Sequence, residues 1–347
     1  MIRTLKQSSL TLSKQVGLSG WLAQSAWRRS RLLILCYHGV ALDDEHVWQP
    51  GLYVSAAHLE RRLALIRRNR CTVLPLGEAV ERLYRHDLPD RAVVLTFDDG
   101  YYDFVARAWP LLRAYGYPAT VYLTTARVDH NFPIVNLFVS YALWKARASV
   151  LDPEGLPGLH GRYPLATADA RDRVVNDLNQ AIGQMNAGPK DEVAKHLVQR
   201  LGLDYDALAG SRVLTLMRPE EIARLSREGL DVQLHTHLHR NPEDPEIFVR
   251  DVLDNRDRIE AITGRHATHL CYPSGMYRLS YLPALRREGI ESATTCDPGM
   301  AARAADPLLL PRFVDTSGVS DVEFEGWLTG VASCLPRRTR RAHPAVA

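Results

Sequence analysis

Seven short apolar runs recur along the chain, and helix-like segments separate most of them. The runs are LLILCYHGV (32–40), AVVLTFDDG (92–100), ATVYLTT (119–125), DVQLHTHLH (231–239), THLCYPSG (268–275), ESATTCD (291–297) and LLLPRFVD (308–315). Their hydrophobicity is continuous rather than alternating, which is typical of strands buried on both faces of a parallel sheet or barrel. The spacing predicts helices at 56–69, 76–85, 104–115, 219–228, 245–263 and 280–288.

This alternation of strand and helix predicts an α/β fold. In such folds the polar residues that follow strand ends carry the chemistry. Residues 136–217 break the rhythm, with a loop around LDPEGLPGLHGRYPL (151–165) and helix-like segments at 168–185 and 191–201. We interpret them as a helical insertion within a single domain, which either shapes a substrate cleft or is an inert elaboration. The domain spans 31–330, between a helical extension at 1–30 and a basic tail at 331–347 that we expect to be disordered.

The composition of the 347 residues is that of a soluble globular protein, with 46% apolar and 24% charged residues. No apolar run approaches the roughly 20 residues that cross a bilayer, so we predict no transmembrane span. The net charge of +3 is too small to indicate nucleic acid as a partner, and no feature indicates a protein partner. The basic residues gather at the two ends of the chain: Arg28, Arg29 and Arg31, then Arg337, Arg338, Arg340 and Arg341.

Those basic ends are either solvated or attracted to an anionic membrane surface or polymer. The first 27 residues carry Lys6 and Lys14 and spread their apolar residues thinly, so they lack the compact core of a secretory signal. An amphipathic surface helix fits this segment, with apolar positions at Leu5, Leu12, Val16 and Trp21. We therefore expect the protein in the cytoplasm or at the inner membrane surface.

The five cysteines form an odd set without CxxC pairs: Cys36, Cys71, Cys271, Cys296 and Cys334. This pattern argues against a disulfide framework and against a thiolate zinc site. Most of them lie in apolar stretches, so we interpret them as small buried hydrophobic residues.

Three of the predicted strand ends carry residues suited to metal binding or acid/base chemistry. Asp98 and Asp99 follow AVVLTF, three histidines lie in DVQLHTHLH, and His38 lies in ILCYHGV. Each feature has a structural alternative: the Asp pair as a helix cap, the histidine pair as a surface helix face, and His38 as a satisfied core histidine. Their coincidence at strand ends favours a functional site.

Two imidazoles and one carboxylate can hold a divalent metal and keep positions open for water and substrate. His235 and His239 are four residues apart, and Asp99 can complete the set. If the segment turns helically just beyond its strand, this spacing places both imidazoles on one face and directs His237 elsewhere. A carboxylate bound to a cation is largely neutralised, so the neighbouring Asp98 can ionise and take a proton from an activated water.

TFDDG at 96–100 and HTHLH at 235–239 together resemble the polysaccharide deacetylases of the NodB-homology group, carbohydrate esterase family 4, over residues 32–315. The resemblance implies a deformed (β/α) barrel of the glycoside hydrolase/deacetylase type. It also implies removal of acetyl groups from N- or O-acetylated sugars with a divalent metal. It makes Asp98 the catalytic base and Asp99, His235 and His239 the metal ligands.

Later family motifs match only in part. The RxPxG-like motif keeps Pro273 and Gly275 of LCYPSG (270–275), and the late histidine that acts as general acid in many members is absent after LLLPRFVD. A subgroup similar to bacterial biofilm-polysaccharide deacetylases uses the histidine of an early YHxV-type motif instead. YHGV at 37–40 matches it, which makes His38 the candidate acid. Arg312 either orients Asp98 or another carboxylate, or forms a structural ion pair.

The resemblance therefore implies a metal-dependent N-deacetylase that acts on an acetylated carbohydrate. Zinc is the expected metal, and other first-row divalent ions also suit this ligand set. A backbone N–H near Tyr101 is the candidate oxyanion donor. Two alternatives stay open: an O-acetyl sugar esterase, which needs the same site, and a catalytically inactive carbohydrate-binding relative.

Overall fold

Seven parallel strands close into a barrel in the computed structural model, which describes residues 2–130 and 132–335. Within these residues the strands are β1 Arg31–Tyr37, β2 Gly39–Val40, β3 Tyr53–Val54, β4 Thr72–Val73, β5 Ala92–Phe97, β6 Thr120–Leu123, β7 Val150–Leu151, β8 Tyr163–Pro164, β9 Asp231–Leu234, β10 His269–Cys271, β11 Ser292–Pro298, β12 Ala301–Ala302 and β13 Leu310–Val314. The barrel runs in the order β1, β5, β6, β9, β10, β11, β13 and closes because β13 pairs with β1. The predicted α/β barrel is confirmed.

Helices surround the barrel, and most of them follow the predicted segments. In the described part of the chain they are α1 Ile2–Gln15, α2 Leu18–Ala23, α3 Ala26–Arg29, α4 Glu45–Trp48, α5 Ala56–Arg68, α6 Leu76–Arg85, α7 Trp109–Tyr115, α8 Val135–Lys145, α9 Ala168–Ile182, α10 Ala187–Arg200, α11 Tyr205–Gly210, α12 Pro219–Arg227, α13 Pro245–Thr263, α14 Leu282–Arg287 and α15 Asp321–Thr329. A π-helical turn, Phe104–Ala108, precedes α7. Helix α13 matches its prediction because Asp244 caps two N–H groups at its start and Gly264 ends it in the left-handed conformation.

The continuous hydrophobicity of the strands follows from burial on both faces. Leu32, Ile34 and Val94 belong to a buried cluster that includes the apolar face of α6. The intervening residues Leu33 and Leu35 belong to the larger cluster that includes the other surrounding helices. Since successive side chains of a strand point to opposite faces, the first set fills the barrel and the second covers its outside.

The irregular region at 136–217 contains helices α8 to α11. Its predicted loop includes a short antiparallel pair, β7 with β8. Helix α8 packs against α9 and α10, and its sequence VNLFVSYALWK is apolar on most faces. A helix of this kind has no amphipathic period, which explains why the sequence pattern left it unassigned.

The N-terminal extension folds as α1 to α3, with α1 packed on α15. Leu12, Val16 and Trp21 are 59%, 67% and 71% exposed, whereas Leu10 is buried. This distribution has the amphipathic character expected of the segment, and membrane contact stays a prediction. The described residues contain no helix long and apolar enough to span a membrane. The side chains of Leu5 and Lys6 and all of residues 336–347, with the four C-terminal arginines, lie outside the described part.

Arg28 corrects the interpretation of the N-terminal basic residues as solvated. Its side chain is fully buried, and its guanidinium donates to the carbonyl oxygens of Leu328 at 2.9 Å, Arg31 at 2.8 Å and Ala92 at 3.3 Å. Burial lowers the pKa of Arg28 to about 10, so the group remains cationic at neutral pH. These bonds tie α3 to the start of the barrel and to α15.

We expect Arg28→Met to lower the free energy of unfolding by about 2 to 4 kcal/mol, because three buried carbonyl groups lose their donor. Arg29→Met is the matched control, since the neighbouring Arg29 is exposed, and it should change stability by less than about 0.5 kcal/mol. Urea denaturation of both variants measures the difference. Equal losses would contradict a structural role for Arg28.

Candidate active site

A buried ion pair lies inside the barrel at the end of β5. Asp98 is 2% exposed, and Arg312 of β13 donates from Nη1 to Oδ1 and from Nη2 to Oδ2, both at 2.7 Å. Burial by itself raises the pKa of Asp98, but the Arg312 guanidinium outweighs burial and holds this pKa well below its usual range. The structure places Arg312 directly on Asp98, and whether it orients this carboxylate for catalysis or forms a structural ion pair stays a prediction.

Thiol groups surround this ion pair. Cys36 Sγ and Cys271 Sγ each lie 3.5 Å from Asp98 Oδ2, and Arg312 Nη2 donates to Cys271 Sγ at 3.0 Å. Burial raises the pKa of Cys36 well above its usual value, so its thiol stays protonated and can donate. These cysteines are buried as predicted, but they also contact the carboxylate, which no local pattern indicated.

Asp99 points away from Arg312 and meets two imidazoles. Asp99 Oδ1 lies 3.2 Å from Nε2 of His235 and 3.2 Å from Nε2 of His239, and the two rings are 4.9 Å apart at an angle of 64°. Ligand atoms of the three residues all lie within 4.8 Å of one another. Oδ1 is buried without an aligned hydrogen-bond donor. Three converging ligand-type atoms that do not bond to each other are the arrangement expected around a cation.

His235 is held in one orientation by groups behind it. Its Nδ1 lies 2.8 Å from the carbonyl oxygen of Cys271, so Nδ1 carries a proton and donates it to this carbonyl, and Nε2 is the ring nitrogen that faces Asp99. Its backbone N–H donates at 2.9 Å to Asn255, whose amide also donates to Thr125. Asn255 lies on the buried, mainly apolar face of α13. A polar residue on such a face is the sequence signal from which this supporting role could have been predicted.

The HTHLH segment does not turn helically beyond its strand. The predicted helical turn, which would have placed the imidazoles of His235 and His239 on one face, is therefore wrong. Thr236 and His239 instead have left-handed backbones, with φ of 61° and 53°, and Asp99 has φ of 70°. Each such residue costs about 1 kcal/mol or more, and surrounding packing must impose it. His237 points elsewhere, with Nδ1 2.9 Å from Thr125 Oγ1.

His38 and Tyr101 lie on the open side of this group. His38 Nε2 is 3.8 Å from Asp98 Oδ2, and both His38 and Tyr101 line the same cavity as Asp99. An antiparallel β-bridge joins Tyr101 to Leu216. Its two hydrogen bonds are donated by the backbone N–H groups of Tyr102 and Met217, so the N–H of Tyr101 takes no part in the bridge. The site thus brings together the candidate acid, base, ligands and oxyanion donor.

Pro273 and Gly275 form a turn after β10 on the same side of the barrel. The carbonyl oxygen of Pro273 accepts from Asn241 Nδ2 at 2.9 Å, and Ser274 between them lines the cavity. Gly275 has φ of 70°, and a Cβ there would lie 2.5 Å from Cys296 Cβ and 2.7 Å from its backbone nitrogen. Both residues therefore shape the backbone under the site rather than present side chains to it.

The cavity over the site has a volume of about 650 Å³. The catalytic side is formed by His38, Asp99, Tyr101 and His239. The insertion forms the opposite side, with Asn136, Leu137, Asn179, Ile182, Gly183 and Lys190. The insertion therefore encloses the space into which a substrate would enter.

This barrel carries a two-histidine, one-carboxylate group beside a second buried aspartate, an arrangement found in hydrolases. The chain belongs to the polysaccharide deacetylase family, whose sequence model matches residues 85–293. Similar proteins include the poly-beta-1,6-N-acetyl-D-glucosamine N-deacetylase of Escherichia coli K12, with 33% identity over 100 residues. Those residues are 28% of this chain and 14% of that protein, so the chain covers a small part of that relative's length.

Solved structures share the fold at low sequence identity. The Streptococcus pyogenes deacetylase PplD in complex with acetate has a TM-score of 0.55 and 18% identity, covering 84% of this chain and 94% of that one. IcaB from Ammonifex degensii has a TM-score of 0.55 and 16% identity, covering 86% and 97%. The deacetylase barrel inferred from TFDDG and HTHLH is therefore the fold of this chain.

We expect Gly275→Ala to destabilise the protein by about 2 kcal/mol more than Gly289→Ala. Both glycines have φ of 70°, but a Cβ at Gly289 meets nothing within 4 Å, whereas at Gly275 it meets the backbone of Cys296. The control therefore subtracts the cost of the left-handed conformation, about 1 kcal/mol, from the cost of the clash. Denaturant unfolding measures the free energy of unfolding of both variants. An equal loss in the two would show that the turn at Gly275 shifts to accommodate the added Cβ.

Proposed function

We propose that the protein hydrolyses the N-acetyl group of a sugar in an oligosaccharide, polysaccharide or glycoconjugate. Family membership supports an acetyl hydrolase. The observation that carries the proposal is the convergence of Asp99, His235 and His239 beside an ionised Asp98 at the open end of the barrel. The N-deacetylase from Escherichia coli among the relatives favours an amide over an ester.

The three ligand residues fit a divalent cation. Asp99 Oδ1 is buried without a hydrogen-bond partner, and the tautomer of His235 leaves its Nε2 free to bind a metal. Asp99, His235 and His239 would hold the cation, which would supply Lewis-acid chemistry by lowering the pKa of a water molecule and polarising the acetyl carbonyl. Zinc suits two imidazoles and one carboxylate, and other first-row divalent ions suit them too.

The remaining groups handle protons and charge. Asp98 stays ionised because Arg312 binds both its oxygens, so it can accept the proton of the attacking water. The Tyr101 N–H is the donor for the oxyanion of the tetrahedral intermediate. His38 protonates the departing nitrogen, because an amine leaves far more readily than its anion.

Removal of the base and removal of a ligand should have different consequences. Asp98→Asn should retain the metal and lose about 10² to 10⁴-fold in turnover, because a positioned base contributes that much. His239→Ala should lose the metal as well as activity, because only two ligands remain. Elemental analysis with acetate release from N- and O-acetylated glycans, with and without a chelator, measures both.

His160→Ala serves as the control because His160 is exposed and lies outside the cavity. It should retain both metal and turnover. Full activity of Asp98→Asn on every acetylated sugar would refute Asp98 as the base. Bound metal without acetate release from any sugar of the panel would favour the inactive carbohydrate-binding alternative.

His38→Gln should slow the hydrolysis of an N-acetyl amide more than that of an O-acetyl ester. An amide needs protonation of its leaving nitrogen, whereas a sugar alkoxide is a better leaving group and depends less on an acid. We expect kcat on an N-acetyl sugar to fall about 10²-fold or more and kcat on the matched O-acetyl sugar to fall much less. Equal falls on both substrates would contradict His38 as the acid for nitrogen.

We also propose that the protein contacts the inner surface of a membrane. The exposed apolar residues of α1 and α2, with Leu18 at 48% beside Val16 and Trp21, support contact with a membrane surface. A protein held at the inner surface of the membrane would meet lipid-linked as well as free glycans.

A further inference from the structure

Two cations line the active-site cavity in addition to the metal-type residues. Arg127 follows β6, and Lys190 lies in the first turn of α10 within the insertion. Both side chains are half-buried, and both line the same cavity as His38, Asp99 and His239. The mechanism proposed above uses neither of them.

Neither cation has an ion-pair partner within the described ranges. The nearby Asp129 is engaged by Arg258. Asp191 lies near Arg127 without pairing with it, and burial raises the pKa of Asp191. Elsewhere in and around the insertion cations do pair, as Arg200 does with Asp152 and Lys145 with Asp44. Arg127 and Lys190 therefore line the cavity without an ion pair among the described residues.

The ammonium of Lys190 is held at the cavity wall by the end of the preceding helix. Its Nζ donates at 3.0 Å to the carbonyl oxygen of Gly183, the residue that caps the C-terminal end of α9. The C-terminus of a helix carries partial negative charge and favours a cation. An ammonium has three N–H donors, and this bond uses one of them, so the group can also donate to a ligand in the cavity.

We propose that Arg127 and Lys190 form a subsite for an anionic group, a carboxylate or a phosphate, carried by the sugar next to the acetylated residue. The inference rests on the proposed function, because it assigns the metal side of the cavity to the acetyl group. Asn136 and Asn179 line the same wall, and Asn179 Oδ1 is buried without a hydrogen-bond partner, so sugar hydroxyls have polar contacts beside the anion. A neutral glycan would leave both cations without an ion-pair partner.

Matched disaccharides test the subsite. N-acetylglucosamine linked to glucuronic acid and N-acetylglucosamine linked to glucose differ by one carboxylate, and acetate release gives kcat/KM for each. We expect the wild type to prefer the acidic disaccharide by about tenfold. The preference should become smaller at high salt, because salt screens charges in a cavity that is open to solvent. A third disaccharide, N-acetylglucosamine linked to glucose 6-phosphate, distinguishes phosphate from carboxylate as the preferred anion on the neighbouring sugar.

The variants isolate the two side chains. The double variant Arg127→Gln with Lys190→Gln should bring the preference ratio to about one. Arg173→Gln is the control, because Arg173 is an exposed cation of the same insertion that does not line the cavity. This control should leave the ratio unchanged, and thermal unfolding of all variants checks that they fold.

A binding measurement separates the subsite from the chemistry. Calorimetric titration with the deacetylated disaccharides, which cannot turn over, should give tighter binding of the acidic one to the wild type but not to the double variant. This binding difference without acetate release from any substrate would sink the proposed function and leave the subsite standing. Acetate release with equal kcat/KM and equal binding for both disaccharides would overturn the subsite and leave the function standing.

Discussion

The structure depends on the buried pair between Asp98 and Arg312. Two opposite charges inside a barrel are tolerated only when their hydrogen bonds are nearly all satisfied, because desolvation of each ion costs several kcal/mol. Here the guanidinium binds both carboxylate oxygens and continues to Thr96 Oγ1 and the carbonyl of Thr295. The pair joins β13 to the end of β5 inside the barrel and fixes the position of the Asp98 carboxylate.

The ion pair between Asp98 and Arg312 also explains why two adjacent aspartate carboxylates are tolerated. The sequence suggested that a cation on Asp99 makes an ionised Asp98 tolerable. Arg312 already neutralises Asp98, while the left-handed backbone at Asp99 turns its side chain toward His235 and His239. The two carboxylates therefore have separate partners, one a fixed arginine and the other a pair of metal-type ligands.

The two sides of the cavity come from different parts of the fold. The ends of the parallel strands supply Asp98, Asp99 and His235, and their positions are set by the hydrogen-bonded barrel. The insertion supplies most of the opposite cavity wall. Connecting segments of this kind tolerate changes of sequence more readily than the strands that they cover, so the wall can change while the strand ends keep their geometry.

The sequence by itself determined the seven barrel strands, most of the surrounding helices and the residues that meet at the site. Continuous apolar runs and polar strand ends are local signals, and parallel strands bring their ends to one edge. Only the tertiary structure decided the burial of Arg28, the contacts of Cys36 and Cys271 with Asp98, the non-helical path of HTHLH and the cations in the cavity wall. These features depend on residues far apart in the chain, and on backbone conformations that packing imposes against local preference, so no neighbouring sequence reports them.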